Sequence, residues 1–345
     1  MEQIFICELK QFKEEIDNII SGEHFIETML PSGAADHIRQ YLFDFQKFSS
    51  GGKRIRAYLV RLGYEIASGK YDKAIILPAL SYEVFQSGIL IHDDIIDESD
   101  TRRGMPTMHI TLGGGQIGMS KAICLGDIGL FAAVDLVARS EFDSELVRKA
   151  IIHQIKVFEL TGAGEIKDIE LAEDVACQEA HIINMYRLKT SWYTIIGPMQ
   201  LGAILGGADE TLMHQIEQIG TAMGIAFQIV DDIIGIFGKS DVIGKSNLSD
   251  MQEGKQTVLS AHFFAHANAE QREALCKVYG DRSSGAEELQ TVRALFRETG
   301  SFDYANALCK QYADEASAVI EQMQIDENYR GILRSFLDYL CIRNV

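Results

Sequence analysis

Apolar residues recur along this chain at spacings of three and four, segment after segment, and this predicts helices almost throughout. Phe5, Leu9, Phe12, Ile16, Ile19 and Ile20 form one such stripe within residues 1–30, broken by Met29-Leu30-Pro31-Ser32-Gly33. A second helix carries Ile38, Leu42 and Phe45 and runs to about Phe48. Helices follow over 57–68 and 71–97, the second repeating Ala79, Tyr82, Glu83, Gln86 and Leu90. Met105 to Gly118 reads as a glycine-rich loop, and a helix around Gly126-Asp127-Ile128-Gly129-Leu130 comes next. Helices are then expected over 142–171, 174–206 and 211–237, the last ended by Gly238. Shorter ones fall near 255–268, 269–278, 284–299, 302–323 and 326–342. No strand-like alternation of any length, repeat or low-complexity tract stands out, so the fold class is all-α. Four prolines in 345 residues agree with long uninterrupted helices.

Composition narrows the partners. At 47% hydrophobic the chain can bury one large core or two. A net charge of −18 argues against nucleic acid, which needs a cationic footprint. Small anionic substrates remain open where metals and local basic clusters reverse the sign inside a cleft. Cys7, Cys124, Cys177, Cys276, Cys309 and Cys341 are scattered and read as reduced thiols of a cytoplasmic protein, not zinc ligands. The first segment, bracketed by Glu2 and Lys10, is too short and mixed for a signal peptide, and no transmembrane segment is expected.

Chemistry concentrates in Ile91-His92-Asp93-Asp94-Ile95-Ile96-Asp97-Glu98-Ser99-Asp100-Thr101-Arg102-Arg103-Gly104. On a helix Asp93 and Asp97 share a face one turn apart. Two ionised carboxylates so placed repel each other, and persist where a divalent cation or water neutralises them. Hard carboxylate oxygens suit Mg²⁺, often held by one or two carboxylates plus substrate phosphates. Arg102 and Arg103 follow at once, suited to bidentate phosphate contacts. A lone cluster of this kind is equally a solvated helix end, but a second one occurs. Phe227-Gln228-Ile229-Val230-Asp231-Asp232-Ile233-Ile234-Gly235 again places paired aspartates on an apolar helix, with Lys245 and Lys255 downstream. Facing each other, two such helices would clamp one polyphosphate through shared metals.

Two weaker signals accompany them. In Ser49-Ser50-Gly51-Gly52-Lys53-Arg54-Ile55-Arg56 a glycine pair before a helix lets backbone N–H groups meet an anion, with Lys53 and Arg56 on one face. A capped helix start with solvated basic residues explains the same pattern. Arg187-Leu188-Lys189-Thr190-Ser191 is a polar interruption of an apolar helix, and its Ser/Thr pair can bend the ladder and free carbonyls. His92 reads as a helix-packing histidine.

With these motifs in order from Gly51 to Thr257, the chain resembles the trans-polyprenyl diphosphate synthases, the farnesyl and geranylgeranyl diphosphate synthases among them. Arg343-Asn344 at the end looks similar too. The resemblance implies a single domain over 1–345 with the isoprenoid synthase type I fold, antiparallel helices around a deep central cavity, usually as a homodimer. It implies head-to-tail condensation of an allylic diphosphate with isopentenyl diphosphate, with three Mg²⁺ ions. Carried over by position, Asp93 and Asp97 hold two of them and Asp231 the third, with Asp94 and Asp232 beside them as further metal candidates. Arg102, Lys189, Lys245 and Lys255 bind the allylic diphosphate. Lys53, Arg56 and Arg103 bind isopentenyl diphosphate, with Gln86 where many members use histidine. Thr190 and Gln228 turn oxygens toward the cationic allyl centre. Such chemistry needs neutralisation of the leaving diphosphate and exclusion of water from the carbocation.

Gly235 departs from the family pattern, since many members carry a third aspartate there; a bacterial subgroup has glycine followed by Phe-Gly, as here. Product length is partly legible. Members that stop early place bulky aromatics four or five positions before the first aspartate. Here those positions are Ile89 and Gly88, which reads as an open level, while Phe85 lies roughly 12 Å below Asp93 along a helix and could close the floor. A product longer than farnesyl follows, geranylgeranyl diphosphate being favoured, although Phe85 is equally an ordinary core aromatic. A class I terpene cyclase would need Ser or Thr and then Glu where Gly235 and Lys239 stand. A non-catalytic partner subunit typically loses aspartates or basic residues that this chain keeps.

Overall fold

The structure, a computed structural model, describes residues 4–30, 35–172, 178–238 and 248–341. In chain order, α1 (Ile4–Ser21), α2 (Phe25–Met29), α3 (Ala35–Ser49) and α4 (Ile55–Ser68) precede α5 (Ile76–Ile96), which is entered through a 3-10 turn at Lys73–Ile75. A hairpin of β1 (Thr101–Arg102) and β2 (Met105–Pro106) leads to α6 (Met108–Thr111), α7 (Gly115–Ala138) and α8 (Ser144–Ala172). α9 (Glu179–Tyr186) runs through a π-helical stretch, Arg187–Ile196, into α10 (Gly197–Leu205), and α11 (Glu210–Phe237) follows. The remainder is α12 (Ser249–Gln252), α13 (Val258–His266), α14 (Ala269–Cys276), α15 (Ala286–Glu298), α16 (Ser301–Gln322) and α17 (Glu327–Cys341). The all-α reading therefore holds, and the periodicity places most helices within a few residues.

Two differences from the sequence reading concern the region after α5. The Met105–Gly118 stretch is not one loop: it contains β2 and α6, and α7 already begins at Gly115. The hairpin pairs Thr101 with Pro106 and Arg102 with Met105, around Arg103 (φ 54) and Gly104 (φ 73). Two successive left-handed residues are what a two-residue hairpin turn requires.

The contacts divide the chain into two compact units. The first comprises Met1–Lys156, Gly197–Ile216 and Ile325–Ile332. α1 presents Phe5, Leu9, Phe12, Ile16 and Ile20 to its core. α5 is buried on nearly every side, from Pro78 to Asp94, as befits a helix whose apolar residues do not keep to one stripe. Its neighbours come close because glycines line the approaches. A Cβ on Gly63 would stand 2.0 Å from the Met199 carbonyl, and one on Gly202 would stand 1.9 Å from that of Val60, so α4 and α10 touch backbone to backbone. On the other flank, a Cβ on Gly88 would meet the Gly126 carbonyl at 2.9 Å.

The second unit comprises Val157–Ile196, Glu217–Gln324 and Leu333–Val345. Its core joins Ile182, Met185 and Tyr186 of α9 to Ile225, Ile229, Ile233 and Ile236 of α11, all buried, at the three-and-four spacing of one helix face. Phe263 of α13 and Leu289 and Phe296 of α15 close this core. Two helical stretches, Lys73–Ile96 and Glu210–Phe237, are long and apolar enough to cross a membrane by length and composition, but 67% and 72% of their apolar windows are buried within the protein. Their hydrophobicity serves the cores.

The backbone contact between α4 and α10 leaves no room for a methyl group. Gly202→Ala is expected to cost about 3 kcal/mol or more, read by circular dichroism as a melting temperature lower by roughly 6–12 °C.

Candidate functional site

In the first unit the aspartate motif closes α5. Asp97 caps that helix, its N–H bonded to the Asp93 carbonyl at 2.8 Å, so Asp93 and Asp97 stand one turn apart as the spacing requires. Asp94, next to Asp93 in sequence, is fully buried. The hairpin returns Arg102 to this helix end, where its Nη2 donates to Asp93 Oδ2 at 2.8 Å and its Nε to Asp94 Oδ1 at 2.6 Å. Burial opposes the Arg102 charge, but Asp94 and Asp93 raise its pKa regardless. One guanidinium thus neutralises a carboxylate pair that would otherwise repel.

Beside it lies a basic cluster. Arg103 titrates lower than usual, through loss of solvent first and then through Arg102 and Arg54, with Arg56 contributing. Its guanidinium lies near Gly52, 3.5 Å from where a Cβ would sit. Gly51 (φ 82) and Gly52 (φ 91) are left-handed, and so is Arg54 (φ 60), which binds inward. Arg54 is 4% exposed and donates to Asp17 at 2.7 Å, Glu83 at 3.1 Å and the Ser49 carbonyl at 2.9 Å. Glu83 also accepts the Ala57 N–H at 3.1 Å. In the sequence Arg54 is only the spacer between Lys53 and Arg56; in the structure it is the anchor that fixes the loop bearing them. Lys53 is exposed and Arg56 half-buried, so both keep solvent access. Gln86 is half-buried, one turn of α5 from Glu83. His92 does pack between helices: its Nε2 meets the Ile123 carbonyl at 3.1 Å, over Gly126.

Of the chain-length candidates, Gly88 does not face open space. Its contact with Gly126 and Leu130 of α7 corrects the reading of that position as an open level; a bulky residue there would push α5 and α7 away from each other. Ile89, one turn from Asp93, is half-buried, and Phe85 is 1% exposed.

The second unit assembles another constellation around α9, α11 and the π-helical stretch. Thr190 donates to Gln228 Oε1 at 2.6 Å, and Gln228 Nε2 donates to Asp232 Oδ1 at 2.9 Å. The Tyr186 hydroxyl donates to Asp232 and accepts the Val258 N–H at 3.2 Å. Asp232 is 3% exposed, and burial pushes its pKa up to about 8 against the pull of Tyr186, Lys255 and Gln228. Asp231, its neighbour, is exposed. Lys189 Nζ sits 2.5 Å from Asp168 and 2.8 Å from Glu165, both on α8. Lys255 lies just before α13, its pKa raised by Asp250 first and by Asp168 and Asp232 as well. Sequence reasoning missed Glu165 and Asp168; the one available signal was two acids at i and i+3 on a helix. Lys245 and Arg343-Asn344 lie outside the described residues.

Among the described residues no group of three or more His, Cys, Asp or Glu converges as a ready metal cage. The donor set fits Mg²⁺ nonetheless, which takes one or two carboxylates and completes its shell from water and phosphate. Asp93 and Asp97 at the end of α5 and Asp231 on α11 bring hard oxygens, Asp93 sharing Arg102 with the buried Asp94, while Asp232 is committed to Tyr186 and Gln228.

An all-helical fold that carries in each unit a carboxylate motif and its cations defines a class of metal-assisted diphosphate enzymes. The chain belongs to the polyprenyl synthetase family, whose model matches residues 40–296. It is an enzyme, a prenyltransferase, with the all-α isoprenoid synthase fold of a magnesium-dependent family. It is 30% identical over 325 residues to a geranylgeranyl pyrophosphate synthase of Geoglobus acetivorans, covering 93% of this chain and 94% of that one. A geranylfarnesyl diphosphate synthase of Aeropyrum pernix is 30% identical over 317 residues, or 90% and 94% of the two chains. Among solved structures, a geranylgeranyl pyrophosphate synthase of Corynebacterium glutamicum complexed with isoprenyl diphosphate and magnesium superposes with a TM-score of 0.84, at 26% identity over 99% and 98%.

Arg54 carries three buried bonds and sets the loop of Lys53 and Arg56. Arg54→Met leaves Glu83 buried without its cation and is expected to cost about 3–5 kcal/mol, measured by urea unfolding, with KM for the homoallylic substrate rising well before kcat falls.

Proposed function

We propose that this enzyme condenses isopentenyl diphosphate with an allylic diphosphate head to tail and releases chiefly geranylgeranyl diphosphate. The observation that carries the reading is the pairing of Asp93 and Asp94 with Arg102 at the end of α5, beside the Arg103–Arg56 cluster. In this reading Lys53, Arg56, Arg103 and Gln86 bind isopentenyl diphosphate. Arg102, Lys189, Lys245 and Lys255 bind the allylic diphosphate. Asp93, Asp97 and Asp231 hold three magnesium ions, with Asp94 and Asp232 fixing the first cations and dipoles around them. When bound, magnesium neutralises the charge that develops on the leaving diphosphate.

The chain's own residues do the rest. Lys189 and Lys255 meet the departing oxygens, an electrostatic contribution made before the C–O bond breaks. Thr190 and Gln228 present oxygen lone pairs that stabilise the allylic cation without trapping it. Their orientation is set by the chain of bonds from Thr190 through Gln228 to Asp232, which Tyr186 holds from the other side. The alkene of isopentenyl diphosphate attacks the cation, and the released diphosphate takes the proton, so no His–Asp dyad is needed. Residues 40–296 match the family without a break through both units, which supports one catalytic domain over 1–345. Cys124, Cys276, Cys309 and Cys341 stand as thiols, which fits a cytoplasmic enzyme.

A homodimer is part of the same reading. Ile117, Cys124 and Phe131 recur every seven residues on α7 and are all exposed, Ile117 by 70% and Phe131 by 77%. Such an apolar stripe is unfavourable in water and suits the same helix of a second copy.

Incubation with Mg²⁺, isopentenyl diphosphate and each allylic primer in turn is expected to yield a linear prenyl diphosphate with geranylgeranyl predominant; a cyclic hydrocarbon or no product rejects the reading. Phe85→Ala is expected to lengthen the product, and an unchanged distribution would remove Phe85 as the floor. Phe131→Asp is expected to convert the dimer to a monomer in light scattering, whereas a wild-type chain that is itself monomeric ends the dimer proposal.

A further inference from the structure

A cluster of titratable side chains lies apart from the diphosphate motifs. His262 and His266 stand at i and i+4 on α13, on one face of the helix. Tyr304 of α16 and Glu179 at the start of α9 line one pocket with them, of about 630 Å³, which has room for an ion and its waters. All four belong to the second unit. We infer that His262 and His266 form a binding site for a divalent transition-metal ion of the zinc type, each ligating through Nε2.

The hydrogen bonds decide which nitrogen each ring offers. The Thr299 hydroxyl donates to the Leu295 carbonyl at 2.9 Å. Its oxygen lies 2.9 Å from Ser301 Oγ, so the Ser301 proton goes to Thr299. Ser301 is fully buried and is left with lone pairs toward His262 Nδ1 at 3.1 Å, so that Nδ1 carries the proton. His266 Nδ1 lies 2.8 Å from the His262 carbonyl, which only accepts, so this Nδ1 is protonated as well. In both neutral rings the lone pair is therefore on Nε2. An Nδ1–H held by an oxygen is the support that a metal-bound histidine nearly always has. Two histidines four apart on a helix are also the spacing that brings two imidazoles to one zinc ion.

Charge and donor type agree with this. Loss of solvent first, and His266 second, lower the pKa of His262, so the ring is neutral and able to ligate near pH 7. The Glu179 carboxylate accepts the Tyr304 hydroxyl at 2.7 Å and gives the pocket a negative charge that favours a cation. Among the described residues no third acid or imidazole converges with the pair, so water completes the shell. The rings lie stacked, with centroids 4.0 Å and planes 20° apart, and Tyr304 stacks on His262 at 4.3 Å. His262 is thus held between neighbours, and His266, which is exposed, is the ring that turns out of the stack to share the ion. Imidazole nitrogen suits zinc, nickel and copper, whereas Mg²⁺ prefers oxygen, so this site and the carboxylate motifs select different metals.

The full chain is titrated with Zn²⁺ in excess Mg²⁺, which keeps the oxygen sites occupied, and the affinity is read by calorimetry. Cu²⁺ in the same buffer is read by electron paramagnetic resonance. The wild type is expected to bind Zn²⁺ and to show splitting from two nitrogens on Cu²⁺. Ser301→Ala, which removes the buried acceptor but no ligand, is expected to weaken Zn²⁺ about tenfold. His262→Asn and His266→Asn keep a donor where Nδ1 stood and remove Nε2; each is expected to weaken Zn²⁺ more than Ser301→Ala does and to leave one nitrogen in the splitting. Melting curves in chelator verify that every variant is folded. A wild type without a Zn²⁺ site, or parental affinity in both histidine variants, overturns the inference. Parental affinity in a folded Ser301→Ala overturns it too, because the Nε2 lone pair of His262 would then not depend on the bonds that place it.

Discussion

The constraint on which the rest of the molecule depends is that like charges must be kept side by side without solvent to separate them. Asp93 and Asp94 are adjacent on a helix whose interior is apolar, and Asp94 is buried completely. A buried carboxylate without a partner would take a proton or unfold the helix end. Arg102 resolves this by bonding to both, and it can do so only because a two-residue turn at Arg103-Gly104 brings the chain straight back. The hairpin has only two residues in each strand, and it is what returns Arg102 to hold the acidic motif in shape.

The second unit solves the same problem by different means. Asp232 accepts from a phenol and an amide, with Lys255 more distant, and burial still raises its pKa, to about 8. The first unit therefore holds its buried aspartate by an ion pair, while the second holds Asp232 by the dipoles of Tyr186 and Gln228. That difference matches the division of labour in a reaction that passes from an anionic ground state to a cationic intermediate, which bound anions or strong nucleophiles would quench.

Legibility from sequence followed the range of the interactions. Helices were readable because their signal is local: one stripe of apolar residues per element is enough. The two-residue strands of the hairpin were not, since alternation needs more residues than they have. The motifs were readable as residue types, but not the partners that complete them. Arg54 looked like a spacer because its three acceptors, Asp17, Ser49 and Glu83, come from three places in the chain. Gly88 looked like open space because absence of a side chain was taken for absence of a neighbour, whereas α7 fills that place.

The π-helical stretch shows how far tertiary packing can override a local explanation. Thr190-Ser191 suggested a bend made by hydroxyls bonding back to the ladder. Ser191 does approach the Tyr186 carbonyl, at 3.5 Å, but the irregularity runs over ten residues, Arg187–Ile196, too long for one hydroxyl to cause. A π-helix is wider than an α-helix and needs room on its flanks. Glycines provide it from both neighbours. On α8 a Cβ at Gly164 would stand 2.3 Å from the Lys189 nitrogen, and on α11 Cβ atoms at Gly220 and Gly224 would stand 2.6 Å from Ile196 and 2.3 Å from Ser191. The widened turns are thus accommodated by three notches in the surrounding helices. The energetic cost of poorer helical hydrogen bonds is offset by close contact there, and the Thr190 hydroxyl lies at the start of the Gln228–Asp232 relay. A substitution at any of the three notches would press the stretch back toward α-helical diameter and turn Thr190 away from Gln228, with every polar residue of the motif unchanged.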